Sequence, residues 1–155
     1  MITASCGNTE LLKLRKTAFL CSRKIPASVV LKCYDWAIEQ REKGNCVISG
    51  FHSKIEKDVL HYLLAGTQPV IMALARGMNE KIDTDLKAAV DAGRLLIVTP
   101  FESSVKRVTA KTAEKRNRFM FELADEVVIG FAGKGGMLER LITGDKDKKL
   151  IRIQE

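Results

Sequence analysis

Cys46-Val47-Ile48-Ser49-Gly50-Phe51-His52-Ser53-Lys54-Ile55-Glu56 is the stretch whose reading decides the fold. Cys46, Val47 and Ile48 form an unbroken apolar run, which fits a strand buried on both faces, because a strand with one wet face alternates. Ser49-Gly50 ends the run. Ser53, followed three residues later by Glu56, is a capping box: hydroxyl and carboxylate satisfy the orphan N–H groups of a starting helix. Beyond it, Ile55, Val59 or Leu60, and Leu63 or Leu64 recur at helical spacing as far as Gly66. A strand buried on both sides that feeds a capped helix is half of a βαβ unit, since parallel strands need a crossover.

The same unit repeats on either side. Thr17–Cys21 reads as a buried strand. Ala27–Lys43 reads as a helix opened by Pro26 and ended by Gly44, with Val30, Cys33, Trp36 and Ala37 or Ile38 on one side. Further strands are expected at Val70–Ala75, Leu95–Val98 and Glu126–Phe131. Further helices are expected from Asp83 or Thr84 to Gly93, over Thr109–Ala124 and over Gly136–Ile142. Leu150–Ile153 reads as a last edge strand after a charged turn, Asp145–Lys149. The alternation predicts a three-layer, Rossmann-like, doubly wound α/β fold: a mainly parallel sheet with helices on both faces. One domain is expected over residues 1–155, with its core at about 17–142 and the first dozen residues loosely attached.

Composition narrows the class. The chain has 155 residues, enough to bury a core without disulfides or metals. No apolar run reaches the length that crosses a bilayer, and Met1–Lys16 lacks the apolar segment of a signal peptide. A cytoplasmic protein with no membrane contact is expected. Cys6, Cys21, Cys33 and Cys46 have no close metal-ligand spacing and read as free thiols in a reducing compartment. His52 and His61 complete no zinc pattern, so no metal is expected. The net charge is +7. Between Val105 and Arg118, Lys106, Arg107, Lys111, Lys115, Arg116 and Arg118 face one acid, Glu114, which leaves +5 in that segment. On a helix, Arg107, Lys111, Lys115 and Arg118 share one stripe, which is either a solvated face or a phosphate-facing surface.

In doubly wound folds ligands bind beyond the carboxyl ends of the strands, where strand order reverses. The residues there are Ser22-Arg23-Lys24, Ser49-Gly50-Phe51-His52-Ser53, Arg76-Gly77, Thr99-Pro100-Phe101 and Gly133-Lys134-Gly135-Gly136. They are small, hydroxylated or cationic, and short of acids, as a phosphate-binding cleft requires. G-x-G-x-x-G after the first strand and G-x-x-x-x-G-K-[ST] are both absent, so no dinucleotide or P-loop cofactor is expected. G-x-S-x-G is absent too, which removes the usual hydrolase triad.

The ordered series Ser22-Arg23-Lys24, Val47-Ile48-Ser49-Gly50 and Arg116-Asn117-Arg118 resembles the DNA-processing protein A (Smf) family over about Thr17–Ile142. Cys21 stands where that family has a glycine, and Phe51–Glu56 replaces its segment ending Gly-Ile-Asp. The resemblance implies a binding module for single-stranded DNA or a nucleotide, without catalysis, in DNA processing or recombination, and self-association as a homodimer. It also implies that Ser22, Arg23 and Lys24 meet phosphate, that Ser49 and Gly50 line the cleft with Arg76, Gly135 and Gly136 at its edge, and that Arg116 and Arg118 face the anion. Asn117 is expected to pin loop backbone groups. The extra domains of full-length members have no counterpart, so a stand-alone core of a distinct subfamily is expected.

Arg116 through Leu141 also resembles the Lonely Guy nucleoside-monophosphate phosphoribohydrolases. Gly135-Gly136-Met137-Leu138-Glu139 echoes part of their glycine-rich motif, without its Pro-Gly opening or its threonine. That resemblance implies the alternative, an enzyme or nucleotide sensor with Glu139 as catalytic carboxylate and Arg116 orienting the ligand.

Overall fold

A computed structural model of the chain describes residues 1–79, 81–144 and 148–153. It contains β1 (Ala4–Gly7), β2 (Lys16–Leu20), α1 (Ala27–Lys43), β3 (Cys46–Ser49), α2 (Lys54–Leu64), β4 (Val70–Ala73), α3 (Thr84–Asp91), β5 (Leu95–Thr99), α4 (Ala110–Leu123), β6 (Glu126–Ile129), α5 (Met137–Gly144) and β7 (Lys149–Arg152). The strands form one seven-stranded sheet in the order β1-β5-β4-β3-β2-β6-β7. All neighbours are parallel except β1 and β5. The fold is α/β with a mostly parallel sheet, as the strand–helix alternation predicts.

Register lays the sheet out in rows. Leu96, Ile71, Ile48, Ala18, Val127 and Leu150 are successive partners across six strands. That row packs with Phe119, Met120 and Phe121 of α4 and Leu138, Leu141 and Ile142 of α5. The alternate residues Leu95, Val70, Val47, Phe19 and Val128 pack with Val29, Cys33 and Ala37 of α1, Ile55, Val59 and Leu63 of α2, and Ala89 of α3. Phe19 also stacks on Trp36, with ring centroids 4.9 Å apart. Each fully buried Ile, Leu or Phe contributes roughly 1.5–3 kcal/mol, so these two clusters supply the main driving force for the fold.

The chain's punctuation forms as its residues dictate. Ser53 and Glu56 make the reciprocal capping box of α2, and Gly44 closes α1 in the left-handed region at φ 72°. Three expectations are corrected. The first dozen residues are not loose: Ala4–Gly7 pairs antiparallel with β5, and a 3-10 turn at Thr9–Lys13 buries Leu11 in the core. α1 buries Val29, Cys33, Ala37 and Gln40, with Val30 and Trp36 partly buried against the same cluster, so its inner face is centred on Val29 and Ala37 rather than on Val30 and Ile38. β4 and β6 end at Ala73 and Ile129, short of the apolar runs that suggested them, although Leu74 N–H still donates to Val98 O and Gly130 N–H to Leu20 O. Most of the charged turn expected at Asp145–Lys149 lies outside the described residues. Among the described residues no helix is long and apolar enough to cross a membrane.

Candidate functional site

Strand order reverses at β2. The chain runs from β2 out through β3, β4 and β5, then returns to place β6 on the other side of β2. Beyond the carboxyl ends of these strands lies a cleft of about 550 Å³. Its walls are Cys21, Ser22 and Arg23 after β2, His52, Ser53 and Glu56 around the start of α2, Val108, Thr109, Ala110, Ala113, Arg116 and Asn117 of α4 and its approach, and Met137 and Leu138 of α5. The first turns of α2, α4 and α5 thus all border one space. Helix N-termini carry partial positive charge and unpaired N–H groups, so the arrangement favours an anion.

Arg116 forms the floor. It is 5% exposed. Its Nε donates to Asn117 Oδ1 at 2.8 Å and Nη1 donates to the Ala73 carbonyl at 3.3 Å. Nη2 has no hydrogen bond among the described residues, so with the second N–H of Nη1 three donors of the guanidinium are left for a ligand. The fork lies directly on Gly50, where an added Cβ would stand 2.1 Å from Nη1. Burial lowers the pKa of Arg116 and the nearby Glu56 carboxylate opposes that shift. The group stays charged, since arginine does not deprotonate in proteins. Asn117, expected to pin loop backbone, instead accepts from Arg116 and points its Nδ2 at Met137 Sδ, 3.5 Å away.

Glu56 ties the walls together. Oε1 completes the capping box by accepting from the backbone N–H of Ser53 at 3.2 Å and also accepts from that of His52 at 2.9 Å, while Oε2 accepts from that of Cys21 at 3.1 Å. One carboxylate therefore fixes the loops after both β2 and β3. Ser22 performs a similar task towards β6: its N–H donates to Phe131 O, and its Oγ accepts from Gly133 N–H, both at 2.8 Å. Phe51, between β3 and α2, sits in the left-handed region at φ 47°, uncommon for a bulky residue. Its N–H is held by Ser49 Oγ at 3.2 Å and its ring is buried.

Two titratable groups at the cleft shift. His52 is lowered, first by desolvation and then by the Arg116 charge, with Glu56 opposing. The Cys21 thiol, hydrogen-bonded to Cys33 and buried, is held well above the ordinary thiol range. Cys21 is therefore a neutral wall residue rather than a nucleophile.

Of the residues picked out in the sequence, Ser22, Arg23, Arg116 and Asn117 line the cleft. Ser49 is fully buried beneath it, and Gly50 lies under Arg116. Lys24 is exposed just beyond Arg23. Arg76 borders a separate hollow with Met78 and Asp83. Arg118 is exposed on the outer side of α4. Gly135 and Gly136 form the turn into α5 without lining the cleft, and Glu139 is drawn back to that turn, accepting from Gly135 N–H at 3.0 Å. Glu56 and His52 carry more of the site's geometry than their spacing disclosed. The capping box accounts for Glu56 locally, and nothing local signals its reach to Cys21.

Fold and cleft together define an α/β protein with a mostly parallel sheet and an anion-favouring crevice at its strand-order reversal. The model of the DNA recombination-mediator protein A family matches residues 2–151, and the chain belongs to that family. Among solved structures it is similar to DNA processing protein A from Helicobacter pylori, a protein described for its single-stranded DNA binding mode. The identity is 21% and the TM-score 0.75, over 96% of this chain and 69% of that one. It is also similar to DNA processing protein A from Streptococcus pneumoniae, at 18% identity and a TM-score of 0.74, over 96% of this chain and 53% of that one. The chain thus spans about half the length of the Streptococcus protein. The Moco carrier protein of Chlamydomonas reinhardtii is similar at 9% identity and a TM-score of 0.55, over 90% of this chain and 75% of that one. At these identities the likenesses bear on the fold alone. No curated protein matches the chain in sequence.

Proposed function

We propose that this chain binds single-stranded DNA through the cleft between the β2 and β6 loops, as a non-catalytic module of DNA processing. The observation that carries the reading is Arg116: a buried, permanently charged fork, braced by Asn117 and Ala73, with three donors left over. A buried cation held in place with spare donors is suited to a phosphate oxygen. Family membership and the binding described for the Helicobacter pylori protein support the same ligand. Ser22, Arg23 and Asn117 take the ligand with Arg116, while Gly50 and Ser49 support it from below. The walls at Val108, Ala110, Ala113 and Leu138 are aliphatic, so backbone contacts dominate over base stacking. The proposal extends to a three-layer, doubly wound arrangement, supported by the two core clusters, to a cytoplasmic setting, and to self-association as a homodimer.

The test is fluorescence anisotropy with labelled oligothymidine at several salt concentrations. Arg116→Ala is expected to weaken binding at least tenfold, roughly the 1.5–3 kcal/mol of a charge-assisted hydrogen bond. Unchanged affinity in a folded variant would place the ligand elsewhere.

A further inference from the structure

Arg116 and Arg118 stand two positions apart on α4 yet face different surroundings: the first is buried at the cleft, the second exposed. With Lys111 and Lys115, Arg118 forms an exposed stripe at i, i+4 and i+7, and exposed Lys106 and Arg107 continue it beyond the helix start. The helices α1, α2 and α3 each pair one surface lysine, Lys43 with Glu39 on α1, Lys54 with Asp58 on α2 and Lys87 with Asp91 on α3, although exposed Lys57 on α2 forms no ion pair among the described residues. On α4, Glu114 and Glu122 stand four residues before and after Arg118, a spacing that permits ion pairs. Among the described residues neither forms one. Lys111 and Lys115, like charges at i and i+4, work against the helix they sit on. Lys115 is held with its Nζ 5.1 Å from the centroid of the Phe101 ring, which is itself buried. The row is of one sign, without an ion pair among the described residues, and it begins where Val108, Thr109 and Ala110 line the cleft.

We infer that the outer face of α4 is a second phosphate-contact surface, along which a single strand held in the cleft runs out of it. The inference rests on the cleft reading above. Lys111 to Arg118 spans roughly 10 Å at the helical rise, so the stripe serves an extended strand rather than a lone nucleotide. It reads charge and not bases, because Phe101 is covered by Lys115 and offers no face for stacking.

The test compares wild-type protein, the triple variant Lys111→Gln, Lys115→Gln, Arg118→Gln, and Arg118→Gln alone. Each is titrated with a long oligothymidine and with one too short to leave the cleft, over a range of NaCl, after a thermal melt establishes folding. Each phosphate contact on a single strand contributes about 0.7 to the slope of log affinity against log salt. The triple variant is expected to bind the long strand more weakly, with a slope shallower by about 2, and Arg118→Gln by about 0.7. The short strand is expected to bind all three proteins alike. Arg118→Gln, which leaves Lys115 over Phe101, decides the matter if the triple variant proves unstable. Equal slopes on the long strand overturn the inference and leave the cleft reading standing. Equal losses on both strands also overturn it, since the stripe would then act through the cleft. Stripe-dependent binding to anionic vesicles but not to the oligonucleotide overturns the choice of nucleic acid. Failure of wild-type protein to bind either strand overturns the cleft reading itself.

Discussion

The guanidinium of Arg116 occupies the space that a side chain at position 50 would fill. A Cβ on Gly50 would lie 2.1 Å from Nη1 and 2.4 Å from Cζ. Glycine is required here for close approach, and the approach is what keeps the fork flat over the end of β3. Gly50→Ala is expected to push Arg116 off its seat, away from Asn117 and Ala73. Overpacking of this kind costs about 1–3 kcal/mol. Urea denaturation should read that loss, and oligonucleotide binding should fall with it. A variant as stable as wild type and equally able to bind would show that Arg116 has another resting place.

Glu56 holds three backbone N–H groups from two loops, and it is 8% exposed. Glu56→Ala leaves those donors without their acceptor beside a buried cation. Hydrogen bonds to charged groups are worth about 1.5–3 kcal/mol each, so a loss of about 3 kcal/mol or more is expected in denaturant titrations. Glu56→Gln keeps one acceptor oxygen and should lose about half as much. Equal stability of the alanine variant would mean that water replaces the carboxylate at no cost.

If the cleft holds the anion, His52 is expected to give the binding a pH dependence. Desolvation, Arg116, Lys57 and Arg23 depress its pKa below the ordinary 6.5, against the pull of Glu56. An anion in the cleft favours the imidazolium and raises that pKa. Binding then takes up a proton, so affinity should strengthen as pH falls from 6.5 through the depressed value, and level off below it. His52→Gln should flatten the profile. A wild-type profile already flat below pH 6.5 would remove His52 from the ligand's surroundings.

Far from the cleft, Glu126 gathers Thr17, Arg15 and Lys149 at the amino ends of β2, β6 and β7. Burial alone would raise its pKa, but Lys149, Thr17 and Arg15 outweigh burial and lower it below the ordinary 4.5. A depressed carboxylate contributes stability that is full above its unfolded pKa and is lost as pH falls through the folded one. Glu126→Gln is therefore expected to cost about 1 kcal/mol at neutral pH, measured by thermal melting. The difference from wild type should vanish in acid below the depressed value. A difference that persists there would be a packing effect rather than an ionic one.

Much of this fold is legible because the central strands are buried on both faces. Val47-Ile48 and Leu95–Val98 need no partner to declare themselves, and α1 and α2 announce their ends through Gly44 and the Ser53–Glu56 box. β1 was not legible for the opposite reason: Ala4-Ser5-Cys6-Gly7 lies at a sheet edge, with burial alternating along it, so its composition carries little pattern. The site was half legible. Ser22, Arg23, Arg116 and Asn117 stand where the sequence directs, but the split of the basic segment into an inner Arg116 and an outer Lys111–Lys115–Arg118 follows from the phase of α4. That phase is set by Phe119, Met120 and Phe121 entering the core. The bond from Glu56 to Cys21 spans 35 positions and belongs to tertiary structure.

The return of the chain to β2 has a consequence for synthesis. β2 leaves the ribosome before β3, β4 and β5, and β6, which pairs with its other edge, emerges only after them. Arg116, Asn117, Met137 and Leu138 all come from the last third of the chain. A nascent chain that ends after β5 can therefore hold most of a sheet, but it has an open β2 edge and no cleft. A ligand of this cleft would find its site only once α4 and α5 have formed. Stalled or truncated products would escape recognition by the ligand while exposing an unpaired, apolar strand edge.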